Sequence, residues 1–269
     1  MATAPADQND RSVSIGRIFS RAFGTIGSNP AATLGIAFLF TALPSLALLY
    51  GAQNLQSIWA ENAGALGTGP IAGMGIFLGL IYILLWMITQ GALVRATVAF
   101  SEGGKAGLGE SLAAGLRVAL PLLLLALMTS VAIAFGLFLL IVPGVILYVM
   151  WCVAAPALVE ERLGPIEALG RSRQLTRGTR WKVFGLILIL LVMYWLFLAL
   201  VGLVSVMTHG GLDEMAASAG RLSLGDMAIN LVSSTITSGV GAVIHSSLFV
   251  ELRNWKDGPP TETLAEIFG

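Results

Sequence analysis

A chain of 269 residues that is 56% hydrophobic and 11% charged is no ordinary soluble domain, where about a quarter of residues carry charge. Fifteen basic residues balance fifteen acids, so the strongly basic balance of a nucleic-acid-binding chain is absent. One cysteine, Cys152, excludes an internal disulfide, and its apolar surroundings mark it as a small buried hydrophobe.

Residues 1–13 are polar and read as a disordered amino-terminal tail. The first long apolar run begins near Ala31, with no short apolar region before a cleavage site, so the first span is expected to remain in the mature protein. Between Ser14 and Ile26, Ile15, Ile18, Phe19, Phe23 and Ile26 share one helical face, with Arg17 and Arg21 on the other. That spacing predicts a helix lying in the membrane interface, or a cytoplasmic extension of the first span.

The apolar runs predict six spans, at about 31–50, 71–94, 118–140, 143–160, 182–207 and 225–250. Pro44 is expected to kink the first. A polar loop, 51–70, carries Glu61 and no Lys or Arg, and the second span ends at Arg95. Residues 95–117 hold Arg95, Lys105 and Arg117; Gly103-Gly104 marks a turn, and Leu108–Arg117 reads as a short amphipathic helix of its own. Pro121 then falls in the first turn of the third span, where it is tolerated. The link Ile141-Val142-Pro143-Gly144 is a tight hairpin, and Pro156 should kink or locally open the fourth span.

A charged elbow follows, from Glu160 to Lys182, with six basic residues (162, 171, 173, 177, 180, 182) and three acids (160, 161, 167). The fifth span is apolar on nearly all sides and is expected to face lipid broadly. An outer loop at 208–224 holds His209, Asp213, Glu214 and Arg221. The sixth span is the most polar, and the membrane domain, 14–256, gives way to a cytoplasmic tail at 257–269. Fourteen of the fifteen Lys and Arg fall in the segments on one side, leaving only Arg221 on the other. The positive-inside rule therefore places both termini in the cytoplasm. The fold class is all-α: a polytopic bundle of six transmembrane helices with short interfacial amphipathic helices. A basic amphipathic segment followed by two spans occurs three times, near Ser14, Leu108 and Pro165, at irregular spacing.

Motifs for catalysis, cofactors or metals are missing. There is no phosphate-cradling loop, serine elbow or spaced Cys/His set, and His209 and His245 lie on opposite sides by this topology. Two groups of residues remain as candidates. In the sixth span, Asn230, Ser234, Thr237, Ser238, Gly241 and His245 share an arc of roughly 100°. Polar groups in hydrocarbon must turn inward, so this stripe faces the bundle, as a packing surface or a substrate-lining wall. At the elbow, Arg171, Arg173, Arg177, Arg180 and Lys182 sit at headgroup level with Trp181 as an interfacial anchor. Glu160 or Glu161 is expected to pair with Arg171, with Glu160 the preferred partner because it ends a span.

Pro143-Gly144, the run Pro156-Ala157-Leu158-Val159-Glu160, Ala168-Leu169, Arg171-Ser172, Leu175-Thr176, Gly178 and Trp181 resemble the membrane domain attached to some glycerophosphoryl diester phosphodiesterases. Stand-alone YciC-like bacterial inner-membrane proteins share this pattern. The ending Leu248-Phe249-Val250-Glu251-Leu252-Arg253 is similar to that family's closing stretch, with Val250-Glu251 where a Tyr-Asp pair is usual. The resemblance implies six helices in a bacterial inner membrane. It does not imply phosphodiesterase activity, because the catalytic domain is absent. The expected function is that of a non-enzymatic scaffold or accessory module contacting membrane lipids or a membrane protein partner. The alternative is a carrier or flippase-like protein for a small or lipidic solute. A cavity bounded by Asn230, Ser234 and His245 would favour the latter, and a tightly packed bundle the former.

Overall fold

The computed structural model describes residues 13–61, 69–104, 107–217 and 223–258. Residues 1–12, Lys105, Arg221 and the tail beyond 258 lie outside them, as do the side chains of residues 55–72. The chain is an all-α bundle. Its helices are α1 (Ile15–Ser28), α2 (Pro30–Ala37), α3 (Leu43–Glu61), α4 (Gly69–Ser101), α5 (Leu108–Leu139), α6 (Ile141–Trp151), α7 (Ala154–Glu160), α8 (Pro165–Thr176), α9 (Arg180–His209), α10 (Leu212–Ala217) and α11 (Leu224–Asp257). A π-helical stretch, Phe38–Ala42, joins α2 to α3. Among the described residues, six stretches are long and apolar enough to cross a membrane: Pro30–Asn54, Gly73–Ser101, Leu108–Leu139, Ile141–Glu160, Arg180–His209 and Leu224–Asp257. This is a multi-pass membrane protein.

Local sequence accounts for the helix boundaries. Asn29 accepts from the Ala32 amide and Pro30 opens α2. Glu167 reaches back to the Gly164 amide at 2.9 Å behind Pro165, and Ser223 and Asp226 cap α11 reciprocally. The kink expected at Pro44 takes the form of the π-helical stretch one turn earlier. Pro44 has no N–H to offer the Phe40 carbonyl, and the Leu43 amide bonds five residues back, to Phe38.

Leu108–Arg117 is not a separate amphipathic helix. It runs without a break into the third span, with Pro121 inside α5. Proline deletes only the bond to the Arg117 carbonyl, and close contact with α4 holds the rest in line: a side chain added at Gly115 would run into the Ile88 carbonyl. At the far end a single residue, Leu140, separates α5 from α6, which pack backbone to backbone at Gly136 and Gly144. The fourth span breaks outright. Cys152 and Val153 form a turn, and Pro156 sits in the first turn of α7, where its missing N–H does least harm.

The charged segments converge on one end of the bundle, where they tie α1, α4, α7, α8 and α11 together. Glu251, 4% exposed, accepts from the Ser14 amide at 3.1 Å, Arg17 Nε at 2.9 Å and Arg21 Nη1 at 3.5 Å. Arg253 meets Glu102 at 3.3 Å, and Arg95 meets Glu110 at 2.9 Å and Glu160 at 3.9 Å. Arg17 and Arg21 thus do not point away from the bundle, as a helix merely resting in the interface would have them. They clamp α1 onto α11, and burial lowers the Arg21 guanidinium's pKa against the pull of Glu251. Phe23, assigned to the apolar face, is 58% exposed. The described ends of the chain, Val13 and Gly258, lie at this same basic end.

Candidate functional site

The elbow divides into an inward and an outward half. Ser172 is fully buried and donates to the Met150 carbonyl at 2.9 Å, with Thr176 Oγ1 at 3.4 Å from the same oxygen. The break after Trp151 is what leaves that carbonyl without a helical partner, so α8 caps the broken fourth span from the side. Arg171 pairs with Glu161, Nε to Oε2 at 2.8 Å, and with Asp257. Its pKa is raised: burial pushes it down, but the bonds from Asp257 and Glu161 outweigh that. The expected Glu160–Arg171 pair does not form. Glu160 lies on the α4 side of α7, towards Arg95, whereas Glu161 leaves the helix facing α8.

Arg180 is half-buried, and its Nε has no partner among the described residues. Of the candidate elbow residues, Arg173, Arg177, Trp181 and Lys182 present an outward surface, with Trp181 86% exposed and edge-on to Phe184, and the elbow's Arg162 is exposed as well. These residues, rather than the whole elbow, have the geometry for headgroup contact.

The polar stripe of α11 also divides. Near the far end, Ser45 on α3 donates to the Asn230 side-chain oxygen at 3.0 Å and lies 3.3 Å from the Ser234 hydroxyl, a packed contact. From Ser234 towards the basic end the stripe borders open space. Ser234, Thr237, Ser238, Gly241 and His245 line a cleft of about 740 Å³. Opposite them stand Tyr82, Trp86 and Gln90 of α4, Thr129 and Ser130 of α5, and Tyr148, Trp151 and Cys152 at the broken span. A side chain added at Gly241 would meet nothing within 4 Å, whereas one at Gly239, a half-turn away, would press on Leu34 of α2. Small residues on one helix thus serve two purposes: Gly239 packs, Gly241 leaves room.

A second lobe of about 640 Å³ continues from the first between α6, α9 and α11. Its walls are mostly apolar, including Leu137, Val145, Leu188, Leu191 and Val240. Tyr148, Tyr194, Phe197, Thr237, Gly241 and His245 border both lobes. Among the described residues, no Asp, Glu, Lys or Arg lines either one. Along α11 the polar lobe reaches from Ser233 to His245, twelve residues or about 18 Å of helix.

The cleft exists because α9 stands off from the bundle. Its buried residues are Val183 and Leu186, close to the elbow, and none of its most apolar window is buried. At the opposite end His209 Nε2 lies 3.4 Å from Asp226 Oδ2, and Nδ1 lies 2.8 Å from the Ser205 carbonyl. When Nδ1–H donates to that carbonyl, Nε2 can donate to Asp226 only in the protonated ring. The helix is pinned at its two ends with space between.

Both backbone irregularities border the polar lobe. The π-helical stretch supplies Thr41, whose hydroxyl donates to Thr89 at 3.1 Å, and the break of the fourth span supplies Trp151 and Cys152. Sequence periodicity picks out the α11 wall of this cleft but not these two features, nor Gln90, Thr129 and Ser130. The last three are polar residues inside apolar spans, and each could have been flagged from the sequence as an intramembrane polar group.

Among comparisons with known proteins, a family model described as a domain of unknown function, DUF7847, matches residues 71–252, 182 of the 269 residues. No curated protein and no solved structure matches the chain.

Proposed function

The chain belongs to the DUF7847 family of unknown function, and on that premise we propose that it is a non-enzymatic, carrier or flippase-like membrane protein that holds a lipidic solute in the two-lobed cleft. One observation carries the reading. A wall of hydroxyls, an amide and an imidazole inside the bundle opens directly onto a mostly apolar lobe beside a weakly packed helix. Polar groups in hydrocarbon are costly unless partnered, and irregular backbone at membrane depth is tolerated where it borders a cavity. The π-helical stretch and the broken fourth span fit that pattern, which resembles the interrupted helices at carrier binding sites. An amphiphile matches the walls: polar head against α4, α5 and α11, chain between α6 and α9.

We place the protein in a bacterial inner membrane with both termini cytoplasmic, on the strength of 14 of 15 basic residues falling in sequence segments that alternate to one side of the spans and of the resemblance at the elbow. Arg173, Arg177, Trp181 and Lys182 then rest on anionic headgroups, each cation contributing about 1 kcal/mol. The scaffold role draws its support from this surface and ranks second, because a close-packed bundle would leave the stripe no cleft.

The test is transbilayer movement in vesicles carrying the full chain. Chain-labelled lipids with phosphate and with sugar headgroups are assayed in parallel, using an impermeant reductant to count outer-leaflet label. Faster exchange with protein, slowed by Gly241→Leu, supports the proposal. Rates equal to protein-free vesicles for every headgroup would refute the carrier role.

A further inference from the structure

We infer that the occupant of the cleft is a lipid whose headgroup is uncharged and rich in hydroxyls, of the glycosyl-diacylglycerol kind, rather than a phospholipid. The inference rests on the carrier reading and specifies its ligand. The first support is charge. A phosphate head brought into this lobe would lose water and find no Lys or Arg among the described lining residues. The basic residues are held at the bundle end, Arg17 and Arg21 on Glu251 and Arg171 on Glu161 and Asp257.

The second support is the type of polar group. Hydroxyls both donate and accept, so a wall of Ser and Thr can satisfy a ligand's hydroxyls in either sense. Ser234, Thr237 and Ser238 supply three from α11, and Thr129 and Ser130 face them from α5. Gln90 adds an amide, which again carries both a donor and an acceptor.

The third support is an unmet hydrogen-bonding need. Ser238 is 9% exposed, and its hydroxyl has no partner among the described residues. Thr129, Ser233 and Ser246 fold their hydroxyls back on their own helix, on Leu125, Ile229 and Ala242, whereas Ser111 and Ser247, outside the cleft lining, share with Ser238 the lack of a partner among the described residues. Ser238 belongs to the wall of the polar lobe, and its hydroxyl oxygen is buried there with its bonding capacity unused. Beside it, Thr237 and Gly241 border both lobes, where the headgroup would join its chains.

The experiment is equilibrium binding by fluorescence anisotropy, on the full chain in a polyoxyethylene detergent. The probes are chain-labelled glucosyl-diacylglycerol and phosphatidic acid with the same acyl chains. The parent should bind the sugar-headed lipid at least tenfold more tightly. Thr237→Val with Ser238→Ala should remove about tenfold of that preference, as loss of two neutral hydrogen bonds implies, and Thr237→Ser should retain it. Gly241→Leu should block both lipids. Equal or tighter binding of phosphatidic acid, still blocked by Gly241→Leu, overturns the headgroup assignment while leaving the cleft occupied. Binding of both lipids indifferent to Gly241→Leu removes the occupant and the carrier reading together.

Discussion

Replacing Glu251 with Ala should release α1 from the bundle. The carboxylate is 5% exposed and gathers the Ser14 amide and two guanidinium groups, with Arg17 Nη2 at 2.7 Å in an ion pair. Breaking a fully buried pair costs about 3–5 kcal/mol. Here Arg17 is 43% exposed and Arg21 is 19% exposed, so water recovers part of that when the acid goes. The remaining loss is about 2–3 kcal/mol, falling on the docking of α1. Amide hydrogen exchange on the full chain in detergent reads it directly, because local opening appears as faster exchange in one helix. The α1 amides should speed up roughly 30- to 150-fold while the α4–α5 pair stays protected. Arg17→Ala combined with Glu251→Ala should cost less than the two single changes summed, since both break the same pair. Unchanged α1 exchange in Glu251→Ala, or an equal rise in every helix, would refute the clamp.

Ser172→Ala leaves the Met150 carbonyl with only the long Thr176 contact and should cost about 1–2 kcal/mol of stability, read as a lowered melting temperature. Arg171→Gln should destabilise by more than Arg173→Gln, and Glu161→Gln should add little to it, whereas Glu160→Gln should neither mimic nor rescue Arg171→Gln. In a Cys152→Ser background, Asp213→Cys should react with an impermeant thiol reagent from outside the cell and Gly104→Cys should not. The reverse pattern would invert the orientation.

The architecture was legible in the sequence because span length and hydropathy act over twenty residues and tolerate local error. Six runs were expected and six suitable helices are present, and the uniformly apolar fifth span stands outermost. Boundaries were less legible. Pro121 does not end a helix whose neighbour holds it straight, so Leu108–Arg117 joined α5. Pairing was least legible. Glu160 and Glu161 differ only in the helix face they occupy, and a break at Cys152–Val153 decides which faces α8. The stripe on α11 could be read from periodicity, but packing and lining walls share one composition. Nothing in Gly239 and Gly241 themselves tells which has a neighbour; that depends on α2 lying close and α9 standing off.

Reactivity at Thr237 tests the central claim, that the polar stripe borders an occupied cleft, most directly. Thr237→Cys in Cys152→Ser is treated with a small water-soluble methanethiosulfonate, beside Val243→Cys, whose parent residue is fully buried in the bundle core. Thr237→Cys should be modified, added glucosyl-diacylglycerol should protect it, and Val243→Cys should stay inert. Thr237→Cys as inert as Val243→Cys, with or without lipid, would mean a closed helix interface and contradict the account.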